Sequence, residues 1–263
     1  MNFRPRYDTR RLSAGLTCVR PRPDAVLRLV CFAHAGGGPQ VFRHWADFLG
    51  LEMEVWTVAL PGRGRWLRDQ PITAWKPLVE GTSQVIAREI PGSIALFGHS
   101  FGALLAFEVA RSMTTAGIEP AQLVVSGRPA PSAPFAVALL ADDLTLMSLM
   151  DARYGGVPEQ IRGVPELVEH FGPLLRSDLE LVVNYDYRRD PVLSCSIAAF
   201  AGTEDPDTTA DNLADWGRET IGDFVSRRFP GGHFYLTEHT PEVLETLREL
   251  LMAKVGDCDA RAL

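Results

Sequence analysis

The chain alternates short, almost wholly apolar runs with longer stretches whose apolar residues recur at helical spacing. Val26-Leu27-Arg28-Leu29-Val30-Cys31-Phe32 is the first such run. It leads into the glycine-rich Ala33-His34-Ala35-Gly36-Gly37-Gly38-Pro39 and then into a predicted helix holding Phe42, Trp45 and Phe48. Glu54 to Leu60 is the next run, stopped by Pro61-Gly62-Arg63-Gly64, and a helix predicted from Pro77 to Glu89 precedes Ser93-Ile94-Ala95-Leu96-Phe97. Leu104, Leu105, Phe107 and Ala110 then follow at helical spacing. Gln122 to Gly127, Ile197 to Gly202 and Phe224 to Phe229 read as further strands, and a final helix is predicted from Pro241 to Lys254. Short apolar runs bounded by glycine and proline are the mark of strands buried on both faces. Strands alternating with helices predict an α/β fold, with a mostly parallel central sheet and helices on both sides.

Residues 129–191 break the rhythm. They open on Pro129-Ala130-Pro131-Ser132-Ala133-Pro134 and hold helical stretches around Leu139 to Tyr154 and Glu166 to Tyr187, far more chain than a crossover between neighbouring strands needs. The division expected is therefore a core of residues 1–128 and 192–263, with 1–24 a basic, loose N-terminal extension and 129–191 a helical insertion. Such segments at the edge of open sheets cover active sites, which favours a lid; a decorative insertion is the alternative.

Composition narrows the class. In 263 residues, 46% hydrophobic and 22% charged content is ordinary for a water-soluble globular protein, and a formal charge of −7 argues against nucleic acid as the main partner. The first 22 residues are arginine-rich without an apolar core run, and no stretch is long and apolar enough to span a bilayer, so a cytoplasmic protein without a membrane role is expected, taken as a monomer. The four cysteines are scattered without metal-ligand spacing, and Cys31 and Cys195 read as small buried thiols.

The chemistry centres on Gly98-His99-Ser100-Phe101-Gly102, a Gly-x-Ser-x-Gly turn between a predicted strand and a predicted helix. That context makes it a nucleophile elbow, which pushes the Ser100 hydroxyl out above the sheet. A serine hydroxyl needs a base within reach. Of six histidines, His99 points away along the turn, His34 belongs to the glycine loop, His44 and His170 lie in helical stretches, and His239 reads as a helix-start residue. His233, in Phe229-Pro230-Gly231-Gly232-His233-Phe234 after the last strand, is left as the base. The acid that orients it is sought after the strand ending at Gly202. Asp205 is the best placed there and Asp207 the fallback, with Glu204 a solvated carboxylate. The order Ser…Asp…His is that of α/β-hydrolases. The backbone N–H groups of Phe101 and of Ala35, in the glycine loop, are the expected oxyanion donors. A phosphate-cradling role for that loop lacks the Gly-Lys-Ser/Thr that would follow. The set is built for acyl transfer through an acyl-serine.

Together, Cys31-Phe32-Ala33-His34-Ala35-Gly36-Gly37-Gly38, Leu60-Pro61-Gly62-Arg63-Gly64, the elbow and Phe229 to Phe234 resemble the signature blocks of type II thioesterases, the discrete editing enzymes of polyketide and non-ribosomal peptide synthesis. The resemblance runs from about residue 27 to 251. Ala33 stands where that family usually has proline, and Phe101 where methionine is common. The resemblance implies an α/β-hydrolase fold and hydrolysis of stalled or wrong acyl groups from the phosphopantetheine arm of acyl or peptidyl carrier proteins, with no metal or redox cofactor. It also implies a triad of Ser100, Asp205 and His233, with Ala35 and Phe101 as oxyanion amides. Leu139, Leu140, Leu144, Leu146, Met147, Leu149 and Met150 then suit an acyl chamber, or equally pack the lid on itself. Arg63, Arg65 and Arg68 would meet an acidic carrier or the pantetheine phosphate, unless they are solvated or paired internally. A general esterase or lipase, or an acyltransferase of the same fold, is the alternative activity.

Overall fold

A computed structural model describes residues 15–133, 139, 142–157 and 164–261. Among the described residues seven strands form one sheet in the order β1-β3-β2-β4-β5-β6-β7. They are β1 (Leu16–Cys18), β2 (Leu27–Phe32), β3 (Met53–Val58), β4 (Ile94–His99), β5 (Gln122–Ser126), β6 (Ser196–Gly202) and β7 (Phe224–Phe229). All neighbours pair in parallel except β1, which runs antiparallel to β3 at the edge. The main helices are α1 (Trp75–Glu89), α2 (Phe101–Thr115), α3 (Asp143–Tyr154), α4 (Pro165–Val183) and α5 (Thr240–Arg261).

The near-continuous apolar runs are explained by burial on both faces. Along β2, Leu27, Leu29 and Cys31 enter one core cluster with Trp45, Val243 and Leu247, while Val30 and Phe32 enter the other with residues of α1 and α2. The same split recurs in β4, β5 and β6, because successive side chains of a strand point to opposite faces. Both thiols expected inside, Cys31 and Cys195, are buried.

The expectation of a loose extension over residues 1–24 is corrected for residues 15–24. Leu16, Thr17 and Cys18 pair with Val58, Thr57 and Trp56, and Arg22 caps the carbonyls of Ala46, Leu49, Gly50 and Met53. A strand this short between arginine-rich flanks gives no alternation to read; pairing with the exposed edge of β3 is what orders it. Residues 1–14 lie outside the described residues.

Every functional segment follows the carboxyl end of a parallel strand: the glycine loop after β2, Ser100 after β4, Asp205 after β6 and His233 after β7. Strands that run the same way bring those ends to one rim of the sheet.

Candidate active site

The elbow has the geometry its sequence demands. Ser100 sits at φ 57°, ψ −116°, and is the one non-glycine with positive φ among the described residues. Its N–H donates to the Ser126 carbonyl on β5 at 2.8 Å, which fastens the turn to the neighbouring strand. A Cβ at Gly98 would lie 2.0 Å from the Gly102 carbonyl oxygen, and one at Gly102 would lie 2.2 Å from that of Phe32. Only hydrogen fits at either place, so the strand and helix close on one another and aim the serine outward.

His233, 5% exposed, bonds through Nδ1 to Asp205 Oδ2 at 2.7 Å. Burial pushes the Asp205 carboxyl up, but the hydrogen bond and charge of His233, helped by the Asp207 N–H and Thr208, bring it below its ordinary value. Of the two acids left open by sequence, Asp205 is therefore the one that meets the imidazole. Asp207 is committed elsewhere: it accepts from Arg153 and from the Tyr154 hydroxyl at the end of α3. The Tyr154 ring lies over the His233 ring, with centroids 4.6 Å apart.

Two more histidines crowd this base. The rings of His99 and His233 are 4.9 Å apart, and His99 Nδ1 bonds Ser126 Oγ, which in turn meets the buried Tyr235 hydroxyl at 2.6 Å. Burial first, then the neighbouring His233 and His34, drives His99 well below the usual imidazole value. Burial, His233 and Arg63 lower His34 to about 4. Both stay neutral near pH 7. His44 is exposed at the start of a one-turn helix, and His239 stands between the last two helices.

Neither the Ala35 nor the Phe101 amide donates a hydrogen bond to another group among the described residues. Both residues line the cavity that also holds Ser100 and His233. That cavity, about 320 Å³, is walled by Met147 and Met150 of α3 and by Phe171, Leu175, Leu179 and Val182 of α4. Of the seven residues expected to line the chamber, Met147 and Met150 do so, and Leu146 is buried without lining it. Leu144 and Leu149 are 54% and 46% exposed and face away, because α3 presents only one face; Leu140 lies outside the described residues. The α4 wall was missed, although its i, i+4, i+8, i+11 stripe is legible in the sequence.

The arginines divide. Arg63 is 6% exposed and pairs with the buried Asp178 of α4, so it does not belong to a solvent-facing docking patch; that expectation is corrected. Arg68 is exposed, and the side chain of Arg65 lies outside the described residues.

Comparison with known proteins decides the family. A thioesterase-domain family model matches residues 27–251. The chain belongs to the thioesterase family. It is an α/β-hydrolase-type serine enzyme that hydrolyses thioesters. The gramicidin S biosynthesis protein GrsT of Aneurinibacillus migulanus is 35% identical to this thioesterase over 239 residues, 88% of this chain and 93% of its own. Thioesterase PikA5 of Streptomyces venezuelae is 35% identical over 247 residues, 92% of this chain and 86% of its own. Among solved structures, the type II thioesterase BorB from the borrelidin biosynthetic cluster superposes with a TM-score of 0.82 at 32% identity, covering 94% of this thioesterase and 100% of that chain. No helix among the described residues is long and apolar enough to cross a membrane.

Proposed function

We propose that this thioesterase edits an assembly line, removing stalled or wrong acyl groups from the phosphopantetheine arm of acyl or peptidyl carrier proteins. The observation that carries the reading is one cavity lined both by Ser100 on its strained turn and by an imidazole already bonded to a buried carboxylate. His233 takes the Ser100 proton as the hydroxyl attacks the thioester carbonyl. Asp205 fixes the imidazole tautomer and offsets its charge. The Ala35 and Phe101 N–H groups receive the oxyanion. Collapse breaks the C–S bond and the leaving pantetheine thiolate takes the proton from His233; His233 then takes a proton from water as it attacks the acyl-serine, and returns it to the Ser100 oxygen as the acid leaves. The pantetheine arm arrives with the substrate, so these steps call on no cofactor of the enzyme's own.

Residues 129–191 serve as a lid, and the stripes of α3 and α4 hold the acyl chain. Arg68, with Arg65, offers cations to an acidic carrier. The test is a panel of acetyl-, propionyl- and longer acyl-carrier proteins run beside an aryl ester and beside Ser100→Ala. A strong preference for carrier-borne thioesters, abolished by the substitution, is expected. Equal or better turnover of the aryl ester would favour a general esterase instead, and transfer to an added alcohol or amine an acyltransferase.

A further inference from the structure

The Arg63–Asp178 pair leads to a residue the chemistry needs but does not touch. Asp178 is a carboxylate 2% exposed in the middle of α4, and its Oδ2 accepts from two directions: from the Arg63 guanidinium and, at 2.8 Å, from the Gly36 N–H. Gly36 follows Ala35, the loop donor assigned to the oxyanion. A peptide unit is planar, so holding one of its ends aims the other. The unit that carries the Ala35 N–H is held at its His34 carbonyl, which accepts from Gly37 N–H at 2.9 Å. The next unit, from the Ala35 carbonyl to the Gly36 N–H, is held by Asp178. Both planes that flank Ala35 are therefore pinned, one by a local turn and one by a side chain far along the chain.

The helix that supplies the pin is seated on both loops. Leu175 of α4 lies against Gly36, 3.4 Å from where a Cβ would sit, and Leu174 fills the place of a Gly62 Cβ, with Asp178 one turn further on the same face. Without the carboxylate, the Ala35–Gly36 peptide could swing about Gly36, whose φ of +71° lies where glycine moves at little cost.

We infer that Asp178, neutralised by Arg63, is a positioning residue that fixes the backbone on the carboxyl side of Ala35, keeping the Ala35 carbonyl turned away from the oxyanion its amide would receive, and makes the hole depend on α4 being seated. The inference rests on the oxyanion assignment made above. It also gives the Leu-Pro-Gly-Arg-Gly motif a role, because Arg63 lets a charge stay buried where a neutral acceptor would hold Gly36 less firmly.

The test is Asp178→Asn in the full chain, which keeps size and one acceptor oxygen. Outright loss of an oxyanion donor costs about 10²–10³ in kcat; a hole disturbed by the swung peptide should cost roughly tenfold to a hundredfold, with KM for a small thioester within about twofold. An alkylboronic acid, which becomes tetrahedral on Ser100, should lose affinity by a similar factor. An S-alkyl pantetheine thioether, which has no carbonyl, should bind as before. Unchanged kcat and boronate affinity would overturn the inference, as would equal losses for boronate and thioether, the mark of a merely structural role. Should the Asn variant not fold, Arg63→Lys is read by the same three measurements. Ser100→Ala separates the two levels: retained hydrolysis removes the triad reading and this inference with it, whereas an inert Ser100→Ala beside a fully active Asp178→Asn removes only the inference.

Discussion

Asp205→Asn is the most informative single change. The substitution is isosteric, and the amide can still bond His233, but it does so by donating. An imidazole that accepts at Nδ1 must carry its proton on Nε2, where it has no lone pair to receive the Ser100 proton. The wrong tautomer in a serine triad lowers kcat by about 10⁴, close to 5 kcal/mol at 1.36 kcal/mol per decade. Asp207 cannot step in, because Arg153 and Tyr154 already occupy both of its oxygens. The assay is steady-state hydrolysis of an acyl-N-acetylcysteamine thioester by the native enzyme, Asp205→Asn and Asp207→Asn, with circular dichroism to confirm folding. Asp207→Asn should stay within about tenfold of native. If Asp205→Asn kept more than a tenth of native kcat, or if Asp207→Asn fell as far, the reasoning would be refuted. A stability signature accompanies the kinetics. Asp205 is held below its ordinary carboxyl value, so its contribution is full above about pH 4 and is lost as pH falls through the lowered folded value. The Asn variant should lack that part of the acid limb.

Further outcomes follow from other residues. His34 is held at about 4 against roughly 6.5 for a free imidazole, so between those values the unfolded chain binds a proton that the native chain does not. Urea midpoints should therefore fall from pH 6.5 towards pH 4, and less steeply in His34→Gln; an identical slope would contradict the assignment. Tyr154→Phe removes a hydrogen bond to a charged acceptor, worth about 1.5–3 kcal/mol before its partial exposure is discounted. Faster amide exchange over Gly155 to Val157 should report the loosened end of α3, and unchanged protection there would show that the Tyr154–Asp207 bond does not hold it. Charge reversal at Arg65 and Arg68 should raise KM several-fold for acyl-carrier substrates at low salt and leave small thioesters alone; equal effects on both would remove these arginines from carrier docking.

Most of the sheet was legible because burial on both faces leaves strands almost free of polar residues, and Gly/Pro turns bound them. Ser100 and His233 were legible for a related reason: each sits in a short, glycine-bounded motif whose spacing is local. Asp205 against Asp207 was not settled by position, since two carboxylates two residues apart differ only in what they meet across the fold. Asp178 carried no local sign at all. It lies in an amphipathic helix, where a carboxylate reads as solvated until a guanidinium 115 residues away is brought against it. Arg63 was left open between carrier docking and internal pairing for the same reason, and β1 was missed because three residues are too few to show a period.

The left-handed backbone of Ser100 sets stability against activity. Side chains in such sparsely populated conformations cost about 1–3 kcal/mol, a visible share of the roughly 5–15 kcal/mol that keeps a domain folded. A glycine at position 100 would relax that strain, so an inert descendant of this chain would unfold later than its working parent. Drift under selection for stability alone would erase the nucleophile, and only selection for turnover keeps a serine at this position.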